Sequence, residues 1–144
     1  MRITLARLAL PLVAFALFAA GPARAASEKF ETQLKGGDEV PANDTSGKGK
    51  VEASYDPGTM KLTYTVTYSG LTGPATAAHF HGPAKPGENA GPVITLSGSL
   101  DSPIKGEATL TAAQAKDLES GMWYLNVHTG AHPSGEIRGQ LMKK

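Results

Sequence analysis

The sequence predicts an all-β protein, an antiparallel Greek-key sandwich or barrel of about eight short strands with one short helix near residues 112–120. Three observations predict it. Apolar and polar residues alternate in short runs, the period of a half-buried strand. Clusters of turn formers separate those runs, drawing on 17 glycines and 10 prolines. Only one stretch carries helix punctuation.

In chain order, Phe30, Thr32 and Leu34 alternate with Glu31 and Gln33. A loop rich in Gly, Pro, Asn and Asp follows over 36–44. Val51, Ala53 and Tyr55 alternate with Lys50, Glu52 and Ser54. Asp56-Pro57-Gly58 is a turn, because Pro presets φ and Gly accepts φ > 0. Leu62, Tyr64, Val66 and Tyr68 alternate with Lys61 and three threonines, so 50–55 and 60–68 form a hairpin. Strands at 76–81, 93–96 and 104–110 come next, with a long loop over 82–91 after the first of them. Such loops are uncommon in small β domains and are often functional. Thr111 and Gln114 fit a capping box, Ala115 and Leu118 give a short apolar stripe, and Gly121 ends the helix. The chain closes with strands at 122–128 and 136–142 around a turn at 129–135. Tyr55, Tyr64, Tyr68 and Trp123 read as core or core-edge residues.

Residues 1–25 have the form of a secretory signal peptide. Arg2 and Arg7 make a positive start, Leu8–Ala20 an apolar run, and Ala23-Arg24-Ala25 a cleavage site. The expected cut lies between Ala25 and Ala26, with Ala26/Ser27 as the near alternative. That leaves 119 residues, 26–144, as a single domain, periplasmic or secreted, with no membrane anchor. Cleavage also removes three arginines, so 11 Lys+Arg face 13 acids and the net charge becomes −2. No basic stripe exists, which argues against nucleic acid as a partner. Without cysteine there is no disulfide and no thiolate, so any metal site uses His, Asp, Glu or backbone oxygen.

The four histidines carry the functional signal. His79 and His81 alternate against Ala78 and Phe80, so they point away from the core on one side of their strand. In 122–128, Trp123, Leu125 and Val127 form the core set, while Tyr124, Asn126 and His128 face the other way. If the two strands are neighbours, His79, His81 and His128 form a three-nitrogen site suited to copper or zinc. His132, in the final turn, is a candidate fourth ligand. Glu136, Arg138 and Gln140 face outward beside them. Arg138 would steer or hold an anion, with Glu136 and Asn126 around the site; the alternative is an ordinary cross-strand surface. Asp38 and Glu39 offer a weaker candidate for a hard cation, without the spacing of a known calcium loop. Ser134 beside His132 lacks a triad partner, and no Gly-rich phosphate loop is present.

Four ordered blocks carry a resemblance. They are Leu34-Lys35-Gly36-Gly37-Asp38-Glu39-Val40-Pro41, His79-Phe80-His81-Gly82-Pro83-Ala84, Leu118 to Thr129, and His132 to Leu141. They resemble a CHRD domain, the chordin-type module of many secreted bacterial proteins, over about 28–142. The resemblance implies an extracytoplasmic β-rich domain and no assigned enzymatic activity. The cysteine-rich repeats that accompany the domain in chordin are absent, so growth-factor binding is not carried over. A looser similarity of arrangement is to copper–zinc superoxide dismutase, in which a His-x-His pair and a later-strand His bind copper. His79, His81 and His128 match that order. The disulfide cysteines and the zinc-loop cluster of that family have no counterpart here; the 82–91 loop offers only Glu88 and Asn89.

The leading expectation is a CHRD-domain protein that binds a transition metal, copper before zinc. The alternatives are a metal-free extracellular binding or adhesion module with a protein or glycan partner, and a dismutase-like copper redox enzyme.

Overall fold

The computed structural model describes residues 25–144. The signal-peptide expectation therefore lies outside the described residues, apart from Ala25. The strands are β1 (Glu28–Lys35), β2 (Lys48–Asp56), β3 (Lys61–Ser69), β4 (Ala75–His81), β5 (Pro92–Thr95), β6 (Ile104–Thr109), β7 (Tyr124–Thr129), β8 (Ile137–Gln140) and β9 (Met142–Lys143). The helix, α1, spans Ala112–Glu119, and both halves of the Thr111–Gln114 capping box form. None of the described helices is long and apolar enough to cross a membrane.

All pairings are antiparallel, in the order β5-β4-β7-β8-β1-β2-β3-β6, with β9 added to β1. The sheet curls into a nearly closed barrel. β1, β2 and β3 are a meander joined by long regular ladders, Glu28↔Tyr55 to Lys35↔Lys48 and Lys48↔Ser69 to Asp56↔Lys61. The other half, β5-β4-β7-β8, meets β1 through a single pair, Lys35↔Arg138. The connections β3 to β4, β5 to β6 and β6 to β7 each cross from one half to the other. This crossing is the Greek-key arrangement that the short alternating strands predict.

Alternation decides what lies inside. Val51, Ala53 and Tyr55 of β2, Leu62, Tyr64 and Val66 of β3, and Ala78 and Phe80 of β4 are buried together with Trp123, Leu125, Val127 and Ile137. Phe80 sits at the centre, edge-on to Tyr64 at 5.2 Å and tilted to Trp123 at 5.9 Å. Gly82 follows β4 because a Cβ there would enter the Trp123 indole and the Met122 carbonyl.

Two expectations need correction, and the structure adds one short element. The last strand does not run unbroken over 136–142. It breaks at Leu141, whose N–H bonds Trp123 O at 2.8 Å while Gln140 Nε2 reaches the carbonyls of Ala84 and Gly121. A 3-10 turn, Gly36–Asp38, joins α1 as a second helical element. Most important, the outward face of β4-β7-β8 is not solvent surface. Glu136 and Arg138 point away from the core yet are 0% and 2% exposed. Loops over 36–47, 70–74 and 82–91 bond to them.

Glu136 anchors that cover. Its carboxylate accepts from the hydroxyls of Thr45 (2.6 Å), Thr72 (2.7 Å) and Thr129 (2.6 Å) and from Thr72 N–H (2.9 Å). Burial alone would raise its pKa; these four donors outweigh it and hold the carboxyl at about 2. Glu136→Gln replaces one acceptor oxygen by a donor among donors. Urea unfolding near neutral pH should show a loss of about 2–4 kcal/mol. A carboxyl with a depressed folded pKa stabilises above its unfolded value and loses that contribution on acidification. The wild-type advantage should therefore be full above about 4.5 and vanish as the pH falls to about 2.

Candidate metal centre

The β4–β7 ladder sets His79 opposite Asn126, His81 opposite Tyr124, and Ala77 opposite His128. His79 and His128 are therefore diagonal neighbours on the face turned from the core. His79 Nδ1 lies 3.0 Å from His128 Nε2. His81, His79 and His128 together offer one nitrogen each within 4.8 Å of one another. An ion bound at about 2.0–2.1 Å per nitrogen needs separations somewhat below that limit. The His79–His128 pair already meets the requirement.

Two of the three rings are held by their far nitrogens. His81 Nδ1 lies 2.9 Å from Ala90 O, and His128 Nδ1 lies 2.9 Å from Pro133 O. A carbonyl oxygen accepts only, so His128 Nδ1 carries the proton and His128 Nε2 keeps its lone pair for the cluster, whereas His81 has an acceptor oxygen at each nitrogen, Ala90 O at Nδ1 and Asn126 Oδ1 at Nε2. This carbonyl-to-imidazole arrangement is how proteins orient histidine ligands and raise their basicity. His79 Nδ1 donates to His128 Nε2 and must pass its proton to its outer nitrogen before it can ligate.

The electrostatics favour the neutral, ligating form of two of them. Burial, then the neighbouring imidazoles of His128 and His81, lower the His79 pKa below 6.5. Burial lowers that of His81 as well, against the opposing hydrogen bonds to Ala90 and Asn126. No carboxylate belongs to the cluster among the described residues.

Around His81 the packing is close. Tyr124 stacks parallel to its ring at 4.7 Å between centroids, and the Arg138 guanidinium lies 3.5 Å over the Tyr124 ring. Tyr124 Oη donates to Ala90 O at 3.1 Å, sharing that carbonyl with His81. His81 Nε2 is 3.0 Å from Asn126 Oδ1.

The structure thus brings together His79, His81 and His128, with Asn126 in contact. His132 is outside the cluster; its backbone N–H closes the turn onto Thr129. Glu136 spends its carboxylate on the hydroxyls of Thr45, Thr72 and Thr129. Arg138 is not free to receive an anion: Nη1 donates to Asn89 Oδ1 at 2.8 Å and Nη2 to Glu88 O at 2.5 Å. Asp38 pairs with Lys35 at 3.4 Å, while Glu39 is buried beside Asn126. Sequence reading missed Tyr124 and the two carbonyls. The aromatic alternates correctly with the core set and was open to inspection; a backbone carbonyl leaves no trace in residue type.

Comparison with known proteins gives one match. The model of the CHRD domain family matches residues 30–141. Neither the curated proteins nor the solved structures contain a match. Domains of this family are typically extracellular. The matched stretch runs from within β1 to past the end of β8 and includes all four histidines, and the chain belongs to the CHRD domain family.

Proposed function

We propose that this protein binds a single transition-metal ion outside the cytoplasm, copper in preference to zinc, through His79 Nδ1, His81 Nε2 and His128 Nε2. The observation that supports this most is the convergence of the three imidazoles, with Ala90 O and Pro133 O holding the far nitrogens of His81 and His128. A chance surface cluster has no reason to be oriented this way. An all-imidazole donor set suits copper and zinc, and copper(II) binds such sets more tightly than zinc does. Three protein nitrogens leave further positions on the ion open. His79, only half-buried, marks the side from which the ion and any exchangeable ligand arrive.

His79 and His81 resist protonation, so copper should stay bound somewhat below the ordinary histidine pKa and be released as both rings finally charge. A copper titration followed by chelator competition across that range checks the direction; release already above the ordinary value would contradict it. Purified protein loaded with copper and dialysed should carry one ion per chain, with nitrogen hyperfine structure in its EPR spectrum. His81→Ala should weaken binding by at least about a hundredfold, the upper range for losing even a supporting group. A metal content far below one per chain, or unchanged affinity in His81→Ala, would remove this function from consideration.

A further inference from the structure

β5 and β6 end the strand order, so each has one edge without a strand partner among the described residues. Sheets usually blunt such edges with short strands, proline or charge. β5 is four residues long and opens with Pro92, which has no N–H to offer. β6 is longer, six residues from Ile104 to Thr109. Its two charges have opposite signs, Lys105 and Glu107.

The ladder with β3 decides which backbone groups of β6 face the open edge. Leu110 N–H donates to Met60 O at 2.8 Å, one step beyond the Lys61↔Thr109 pair. Hydrogen-bonded pairs alternate along an antiparallel ladder. Ile104, Gly106 and Ala108 therefore direct N–H and C=O to β3, and Lys105, Glu107 and Thr109 direct theirs to the open edge. The side chains of these last three are exposed on the face away from the core, whereas Ile104 is 1% exposed. Gly106 stands at the centre, where the Tyr64 ring occupies the place of a Cβ.

This edge is complementary to itself. A second β6 laid antiparallel along it, with a two-fold axis at Gly106, sets Lys105 opposite Glu107 of the second copy and Glu107 opposite Lys105 of the second copy. Each pair exchanges N–H···O bonds in both directions and sets opposite charges side by side. The two Gly106 residues meet in the more closely spaced pair, where neither brings a side chain. An axis at Lys105 or at Glu107 would set like charges opposite each other, so charge selects the register. Glu107 already pairs with Lys61 at 2.9 Å on the β3 side, yet its side chain is 61% exposed and stays within reach of a further cation.

We propose that this protein forms a two-fold dimer by pairing β6 with β6 of a second copy, centred on Gly106. The joined sheet runs β1-β2-β3-β6 and returns through the second copy in reverse order. The contact is one short strand from each copy, so the dimer is weak, and its exposed ion pairs make it salt-sensitive. The histidine strands β4 and β7 belong to the other half of the sheet, so dimerisation does not depend on metal.

Sedimentation equilibrium at low and high salt tests it, using wild type, Lys105→Glu, Glu107→Lys and the double exchange Lys105→Glu/Glu107→Lys. Wild type should pass from monomer to dimer in the micromolar to millimolar range, and salt should shift it back. Each single exchange sets like charges at both pairs and should weaken the dimer roughly tenfold or more. An equimolar mixture of the two single variants should recover a dimer of wild-type affinity, and so should the double exchange, because both restore opposite charges. Thermal unfolding of every variant in dilute solution should stay close to wild type, since both side chains are exposed. With rising concentration the Lys105 and Glu107 amides should gain protection from hydrogen exchange. Wild type that remains monomeric up to about 1 mM at low salt would overturn the proposal. So would single variants that dimerise as wild type does, a mixture that recovers no dimer, or a dimer whose Lys105 and Glu107 amides exchange as in the monomer.

Discussion

A sheet face carrying polar side chains and then covered by loops leaves no water to satisfy them, and β4-β7-β8 is built under that constraint. An unpaired buried polar group costs about 1–3 kcal/mol, a large share of a domain's net stability. The cover and the face therefore answer each other. Arg138 reaches up to Asn89 and Glu88 on one loop; Asn43 Nδ2 reaches down to Glu136 O at 3.0 Å from another. Asn89 Nδ2 in turn donates to Val40 O at 3.0 Å, tying the two loops to each other. The loops are fixed by the same bonds that satisfy the strands beneath them.

That fixation is what places the histidines. Ala90 and Pro133 lie on covering loops that further bonds hold down, Arg138 and Tyr124 on one and Asn126 Nδ2 to Ser134 O on the other. The imidazole orientation thus descends from the loop contacts, with the strands supplying only the spacing. Tyr124 contributes to both levels, stacking on His81 while its hydroxyl shares the Ala90 carbonyl. The three rings are not equivalent. His81 and His128 are anchored at Nδ1, whereas His79 has only His128 to bond and is the most exposed of the three.

Alternation made much of this legible. The β3 pattern of Leu62, Tyr64 and Val66 assigns the core face directly, and Phe80 between two histidines tells which way those histidines turn. What alternation cannot report is whether the other face meets water. Glu136 and Arg138 have the composition of a solvated strand edge, and only the loops above them make that face interior. Residue type is equally silent about backbone oxygens, so the carbonyls that orient His81 and His128 could not be read from the chain. The same blindness extends to the burial of Glu39. Beside Asp38 in a Gly-rich loop it looks like one of two surface acids, but the 3-10 turn rotates it inward and leaves Asp38 out with Lys35.

The position of Arg138 separates this site from one organised around an attracted anion. A steering arginine needs its guanidinium at the mouth of the site with donors to spare. Here the guanidinium is 2% exposed, lies flat over Tyr124, and directs one nitrogen to Asn89 and another to Glu88. Its charge acts on Glu39 and His81 from below, opposing protonation at both. An arginine in that place opposes protonation of both side chains and ties down the 82–91 loop. Neither role leaves the guanidinium at a mouth where an anion would be received.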